Sequence, residues 1–326
     1  MMFFYHFFAF PDLQPENCHY LVLGYYKGVP IEQIIAPFGQ LCVALFAFNT
    51  GFVICKNYEN YSKYSLVLKR LLKFLIAYWI ICLLFILYGI IAGKELPSIV
   101  MLLKNLVGRG LSARVSYINV AHAWYVSYYI VLMLFAPILS RMGKIINPIL
   151  DLSIYIVFLV VIPYLPGSLL NIIWPISATV MGFLVCKYQF FYKIRSLKMM
   201  NNSITAISIS IILVILTVLF RHEFSYYNIW GRLDGMYSAL FISAILLLYK
   251  VIPQYITKII VWVGTMSMYL WFLHSIFVMN EALLTVLYFP YIPIIITIWG
   301  IILMAFPAFI CKKMSGSLEH IFIAKN

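Results

Sequence analysis

Charge is what this 326-residue sequence has least of: 10% of its residues are Asp, Glu, Lys or Arg, against 64% hydrophobic. A soluble domain carries about a quarter charged residues. A soluble globular enzyme is therefore excluded, and so is intrinsic disorder, which requires low hydrophobicity. The six cysteines contain no C-x-x-C pair and mostly lie in apolar runs. They are expected to be small core hydrophobes, which excludes a disulfide-stapled secreted domain. The start has no basic n-region and no small-residue cleavage site, so no signal peptide is read there. No polar stretch is long enough for a soluble domain, and no Gly-rich phosphate loop, Walker sequence or G-x-S-x-G elbow is present. Acids are scarcer than bases, 10 against 23, for a formal net charge of +13.

What is present is apolar length. Mean hydropathy is +0.99. A helix needs about 20 apolar residues to cross about 30 Å of hydrocarbon. Nine stretches qualify: 33–55, 71–92, 121–139, 149–165, 169–186, 203–220, 236–252, 259–280 and 291–311. All are apolar around the whole circumference, and period-two alternation is absent, so strands are not expected. Met1–Phe10 is apolar too but reaches only about 15 Å before Pro11 and Asp12 end it. It reads as half of a first span whose other half precedes Met1, or as a short re-entrant or interfacial segment. The expected fold is an all-α polytopic membrane bundle of about ten helices, the first truncated, forming one domain over residues 1–326.

The basic excess orients it. With the Met1 end placed inside and ten spans alternating, the inner segments hold sixteen Lys and Arg against Glu59, Asp151 and Glu319. The outer segments hold seven cations and seven acids. The positive-inside bias makes both termini cytoplasmic. Nucleic-acid binding is thereby unnecessary as an explanation of the charge. The outer loop 94–120 strains the pattern with four cations, among them Arg109 and Arg114, and its part Leu96–Val107 is apolar. An interfacial or re-entrant helix there, touching headgroups or attracting an anionic substrate, fits equally.

Ionisable groups inside a membrane are costly and mark function by default. His6, His122 and His274 all fall toward the outer half of the bundle. Three at similar depth suggest a shared polar site, although each alone would suit a satisfied core position. A neutral imidazole titrates near neutrality and accepts a proton from a hydroxyl. No two of the three share a helix turn, so no metal site is expected. Lys69, Arg70 and Lys73 cluster on one helix face at the cytoplasmic start of a span, suited to phosphate or to anionic headgroups. Arg221-His222-Glu223 and Trp230-Gly231-Arg232-Leu233-Asp234 share an outer loop, suited to a sugar or simply solvated.

The order of these features resembles acyltransferase family 3, the membrane O-acetyltransferases of bacterial surface polysaccharides. Phe4-Tyr5-His6-Phe7-Phe8 resembles the family's first-span stretch. Gly39 to Phe46 with Asn49-Thr50-Gly51-Phe52 resembles its second-span pattern, which more often reads Ser-Gly-Phe at the end. Lys69-Arg70-x-x-Lys73 is similar to its basic motif, usually R-x-x-R. His122-Ala123-Trp124-Tyr125 matches its H-x-W-[FY] element, and Gly264-x-x-Ser267-x-Tyr269-x-x-x-x-His274 resembles its closing element. The resemblance implies acetyl-CoA as co-substrate with no bound cofactor and His6 as general base or transient acyl acceptor. It further implies Lys69, Arg70 and Lys73 on the donor's phosphates. The site would be lined by His122, Trp124, Tyr125, Ser267 and His274, with Arg109, Arg114, Arg232 and Asp234 near the acceptor. The acceptor would be a polysaccharide or lipid-linked sugar, and the location the bacterial cytoplasmic membrane. A transporter or flippase for a polysaccharide intermediate is the competing expectation, though no internal repeat or pair of broken half-helices supports it. The family's basic residue upstream of the histidine would precede Met1, so an upstream start is expected. Some relatives carry a C-terminal esterase-like domain, and none is read here.

Overall fold

The computed structural model describes residues 1–10, 19–93, 95, 97–108, 123–145, 147–166, 169, 173–197, 202–224, 231–249, 251–278 and 280–323. His122, Arg109 and Arg114 lie outside them. The apolar stretches become helices because hydrocarbon offers the backbone no partner but itself. In chain order the helices used below are α1 (Met2–Phe8), α2 (Ile31–Ile35), α3 (Leu41–Lys56), α4 (Tyr58–Tyr61), α5 (Tyr64–Ile91), α6 (Ile99–Leu106), α7 (Trp124–Met142), α8 (Pro148–Val161), α9 (Ile176–Lys187), α10 (Phe190–Ser196), α11 (Ser203–Glu223), α12 (Asp234–Leu248), α13 (Gln254–Thr265), α14 (Ser267–Val278), α15 (Glu281–Tyr288) and α16 (Pro293–Ile323). Strand structure is confined, among the described residues, to the hairpin Tyr25–Tyr26 with Val29–Pro30. Its turn needs positive φ at both central residues, and Lys27 and Gly28 supply 51° and 80°.

Helix occupies every one of the predicted stretches, but their lengths differ from expectation. Among the described residues five runs are long and apolar enough to cross a membrane: Ile31–Lys56, α5, α7, α11 and most of α16. The pair α13 and α14, bent by 62°, makes a sixth. The predicted full spans 149–165, 169–186 and 236–252 come out shorter, as α8, α9 and α12 with 14, 12 and 15 residues. That is roughly 18–23 Å of helix, short of the hydrocarbon thickness. Proline limits two of them: Ile162–Tyr164, with its Pro163, tightens to a 3-10 turn after α8, and Pro175 is the N-cap of α9.

The chain forms two compact units. The first comprises Met1–Gln40, Leu68–Val131 and Trp262–Asn326, the second Leu41–Val67 and Leu132–Val261. The first unit's core gathers Phe7, Phe8, Tyr78, Phe85, Phe272 and Met304 from α1, α5, α14 and α16. Loop 94–120 contributes α6, which packs against this unit with Asn105 buried and Ile99, Val100 and Leu103 exposed. Tyr78 Oη donates to Asn105 O at 2.7 Å, Trp79 Nε1 to Leu106 O at 2.9 Å and Ser127 Oγ to Val107 O at 2.7 Å. Tyr78 and Trp79 stand at the middle of the 28-residue α5, so α6 ends at mid-helix depth. Its last carbonyls, beyond the reach of intrahelical amides, are met by these three donors, and Gly108 N also donates to Asn105 O at 2.9 Å.

In the second unit α3 and α9 cross at backbone contact. A Cβ at Gly51 would run into the Thr179 carbonyl, and one at Gly182 into the Phe48 carbonyl. Thr179 Oγ1 donates to Ala47 O at 3.0 Å across the same crossing. Small residues that let helices approach are the principal packing device in lipid. At one end of this unit Lys187 Nζ meets Asp151 at 2.6 Å, and Tyr188 Oη donates to the same carboxylate. That hydrogen bond pushes the Tyr188 phenol up to about 12. Lys144 Nζ lies over the Tyr58 ring at 4.9 Å. Each contact joins segments that the charge count places inside, and the Arg221–Asp234 pair joins two that it places outside.

Gly182→Ala should lower the thermal midpoint of the detergent-solubilised protein by the equivalent of about 1–3 kcal/mol through overpacking. Gly264→Ala, whose added Cβ meets open space, should leave it level or raise it. A Gly182→Ala midpoint at or above that of the parent chain would sink the backbone-contact assignment.

Candidate active site

The two predicted histidines within the described residues meet. His6, on α1, and His274, on α14, have ring centroids 4.8 Å apart. His274 is fully buried and His6 half-buried. Phe3 lies 5.5 Å from the His274 ring and Tyr5 4.7 Å from that of His6. His274 Nδ1 bonds the Trp271 carbonyl. A carbonyl can only accept, so Nδ1 carries the proton and Nε2 is the basic nitrogen of the neutral ring. Trp271 continues the surface to Tyr125, ring centroids 4.7 Å apart, and Tyr125 to Trp124 at 5.9 Å. Thus His6, His274, Tyr125 and Trp124 are linked in one unit through Trp271, while the element's His122 lies outside the described residues.

A seven-residue helix cannot hold itself, so α1 is positioned by its surroundings. Tyr288 Oη donates to the Phe7 carbonyl, satisfying a helix-end acceptor inside the core. Gly39 lies so close to Met1 O and Tyr5 Cβ that no side chain fits there. Phe7 and Phe8 are buried, and Phe8 packs on Tyr20 and Tyr288 with centroids 5.0 and 6.2 Å apart.

The basic cluster lies in the second and third turns of α5, which begins at Tyr64. Lys69 and Arg70 are half-buried, and Lys73 is 51% exposed with its Nζ 3.4 Å from Glu319 Oε2. Ser315 Oγ donates to Glu319 Oε1 at 3.2 Å, and Tyr269 lies near Ser315. A line of polar side chains therefore runs from Lys73 through Glu319 and Ser315 toward Tyr269. His274 lies five residues further along the same helix, about 7.5 Å of rise. Ser267 sits at the start of α14, two turns from His274. Tyr288, Trp271, Ser315 and Glu319 carried no signal as site residues in the sequence.

Arg232 and Asp234 belong to the second unit. Asp234 is buried and paired with Arg221 through two contacts, Nε to Oδ1 at 3.1 Å and Nη2 to Oδ2 at 3.3 Å. Arg232 is half-buried beside it. Among the described residues no three His, Cys, Asp or Glu side chains gather as a metal would require.

The fold defines a multi-pass helical membrane protein. The chain belongs to acyltransferase family 3: the family's acyltransferase domain matches residues 1–312. It is thus a membrane acyltransferase. No match is found among curated proteins or solved structures.

Tyr288→Phe removes the donor that holds the end of α1 and leaves a buried carbonyl unanswered, a cost of about 1–3 kcal/mol. The thermal midpoint should fall accordingly. The turnover rate of acyl transfer should drop severalfold while the KM for donor stays within about twofold. An unchanged midpoint and rate would show that α1 is held without this bond.

Proposed function

We propose that the chain transfers an acetyl group from acetyl-CoA to a sugar hydroxyl of a surface polysaccharide or its lipid-linked precursor, in a bacterial cytoplasmic membrane. The observation that carries this reading is the contact of His6 with His274 inside an aromatic, water-poor wall. In the reaction, His6 takes the proton of the acceptor hydroxyl as its oxygen attacks the thioester carbonyl. The C–S bond then breaks, the ester forms, and the departing thiolate takes the proton back from the imidazolium. His274, fixed in one tautomer by the Trp271 carbonyl, stands beside His6 with Nε2 as acceptor and steadies the ring that becomes charged. A low-dielectric surrounding makes such an interaction stronger than in water.

The donor's phosphates fit the cationic head of α5. Arg70 offers a planar bidentate donor, and Lys69 and Lys73 add point charges. The Lys73–Glu319 pair is partly solvent-exposed and therefore weak, so an arriving phosphate can compete for the ammonium. From that end the pantetheine arm has only the polar line to Tyr269 and a further turn or two of α14 to cover. Lys69 and Arg70 are the residues this reading needs most, because both are more buried than Lys73.

His6→Ala should abolish acetyl transfer from radiolabelled acetyl-CoA in membrane vesicles while membrane insertion and helix content stay normal. In cells it should remove O-acetyl signals from the NMR spectrum of the surface polysaccharide. Full acetylation by this variant would remove the mechanism.

Arg70→Ala should raise the KM for acetyl-CoA about tenfold or more, the loss of one charge-assisted contact, with little change in the KM for acceptor. A change confined to the acceptor would place the donor elsewhere.

A further inference from the structure

The second unit carries a cleft of about 900 Å³ that no step of acyl transfer described above uses. It lies between α3, α10 and α12, and Phe48, Asn49, Phe52, Lys56, Phe191 and Arg195 line it. No acid lines it among the described residues. Lys56 is the last residue of α3, and Arg195 falls in the last turn of α10. Both belong to segments that the charge count places at the cytoplasmic surface. The turn into α10 is made by Gln189 in the left-handed region, φ 54°. That turn brings Phe191 back against α3, with centroids 6.0 Å from Phe48 and 5.7 Å from Phe52.

Asn49 is the odd residue of this wall. It stands exposed in the middle of an apolar helix, and its amide has no hydrogen-bond partner among the described residues. A bare amide in an apolar setting is costly, so its presence in the cleft calls for a polar partner from outside. Asn49 and Lys56 are seven residues apart, on one face of α3, about 10 Å along the axis. The cleft thus offers two cations at its mouth, an aromatic slide below them and one amide about 10 Å further in.

We propose that this cleft binds a phosphate-headed amphiphile. The phosphate sits on Lys56 and Arg195, the chain runs over Phe48, Phe52 and Phe191, and an ester or amide carbonyl partway along the chain accepts from Asn49. The occupant is an acidic phospholipid of the surrounding leaflet, which brings a phosphate, apolar chains and ester carbonyls together. The inference concerns residues of the second unit only and stands whether or not His6 is the base.

The test is native mass spectrometry of the full chain released from nanodiscs. The probes are phosphatidylglycerol and phosphatidylcholine, applied to the parent chain, to Lys56→Glu/Arg195→Glu and to Asn49→Leu. The parent chain should retain phosphatidylglycerol about tenfold better than phosphatidylcholine. The double variant should lose that preference, and Asn49→Leu should weaken retention severalfold while keeping it. Equal retention of both probes by the parent chain, or an unaltered preference in the double variant, overturns the proposal. If the double variant does not fold, Lys56→Gln replaces it, with a severalfold loss expected and no loss overturning the proposal.

Discussion

The interior of this protein is largely apolar, and much of its structure follows from how buried polar groups there find partners in one another. The carbonyls at the end of α6 show the rule best. They fall at the middle of α5, and a phenol, an indole and a serine hydroxyl donate to them. In water such bonds would be worth little net, because solvent competes for both partners. In hydrocarbon the alternative is an orphaned carbonyl, so α6 docks where donors wait for its end. The Phe7 carbonyl obeys the same rule through Tyr288. Lys187 obeys it through Asp151, with both side chains almost wholly shielded.

The histidine pair uses this constraint for chemistry. His6 packs between Tyr5, Phe10 and the His274 ring, and His274 between Phe3 and His6. The Trp271 carbonyl also removes a degree of freedom, by leaving His274 one basic nitrogen. The price is a helix of seven residues that must be held in place from outside. Gly39 does part of this by letting the chain after α2 lie directly on the start of α1, and the tyrosine bond does the rest. Positioning of the base is thus distributed over residues that never touch a substrate.

This division explains what could be read from the sequence. The helices were legible because a run of apolar residues has one solution in lipid. His6 and His274 were legible as candidates because ionisable groups in such runs are rare. Their contact was not, since 268 positions separate them and no local pattern encodes a pairing of α1 with α14. The motif glycines carry a similar lesson. Gly39 and Gly51 sat in stretches that resembled the family, and both turn out to be places where backbone meets backbone. Tyr288 and Glu319 were silent, because a tyrosine in an aromatic-rich chain and an acid in a tail have no periodicity to betray them. The short helices α8 and α9 were overestimated because hydropathy ignores proline: the apolar run continues through Pro163 and Pro175, but the helix does not.

The cationic excess now divides by environment. Lys187 is buried and paired, which makes it a structural charge: removing its partner would strand it. Lys73 is half in water and paired with Glu319, an arrangement that costs little to break and little to remake. Lys56 and Arg195 face a cleft without acids. Topology alone requires only that such charges stay on one side of the membrane, and any position near the surface satisfies that. Placing two of them over an aromatic cleft with an amide at its floor goes beyond what topology asks, and the surplus is what points to a ligand.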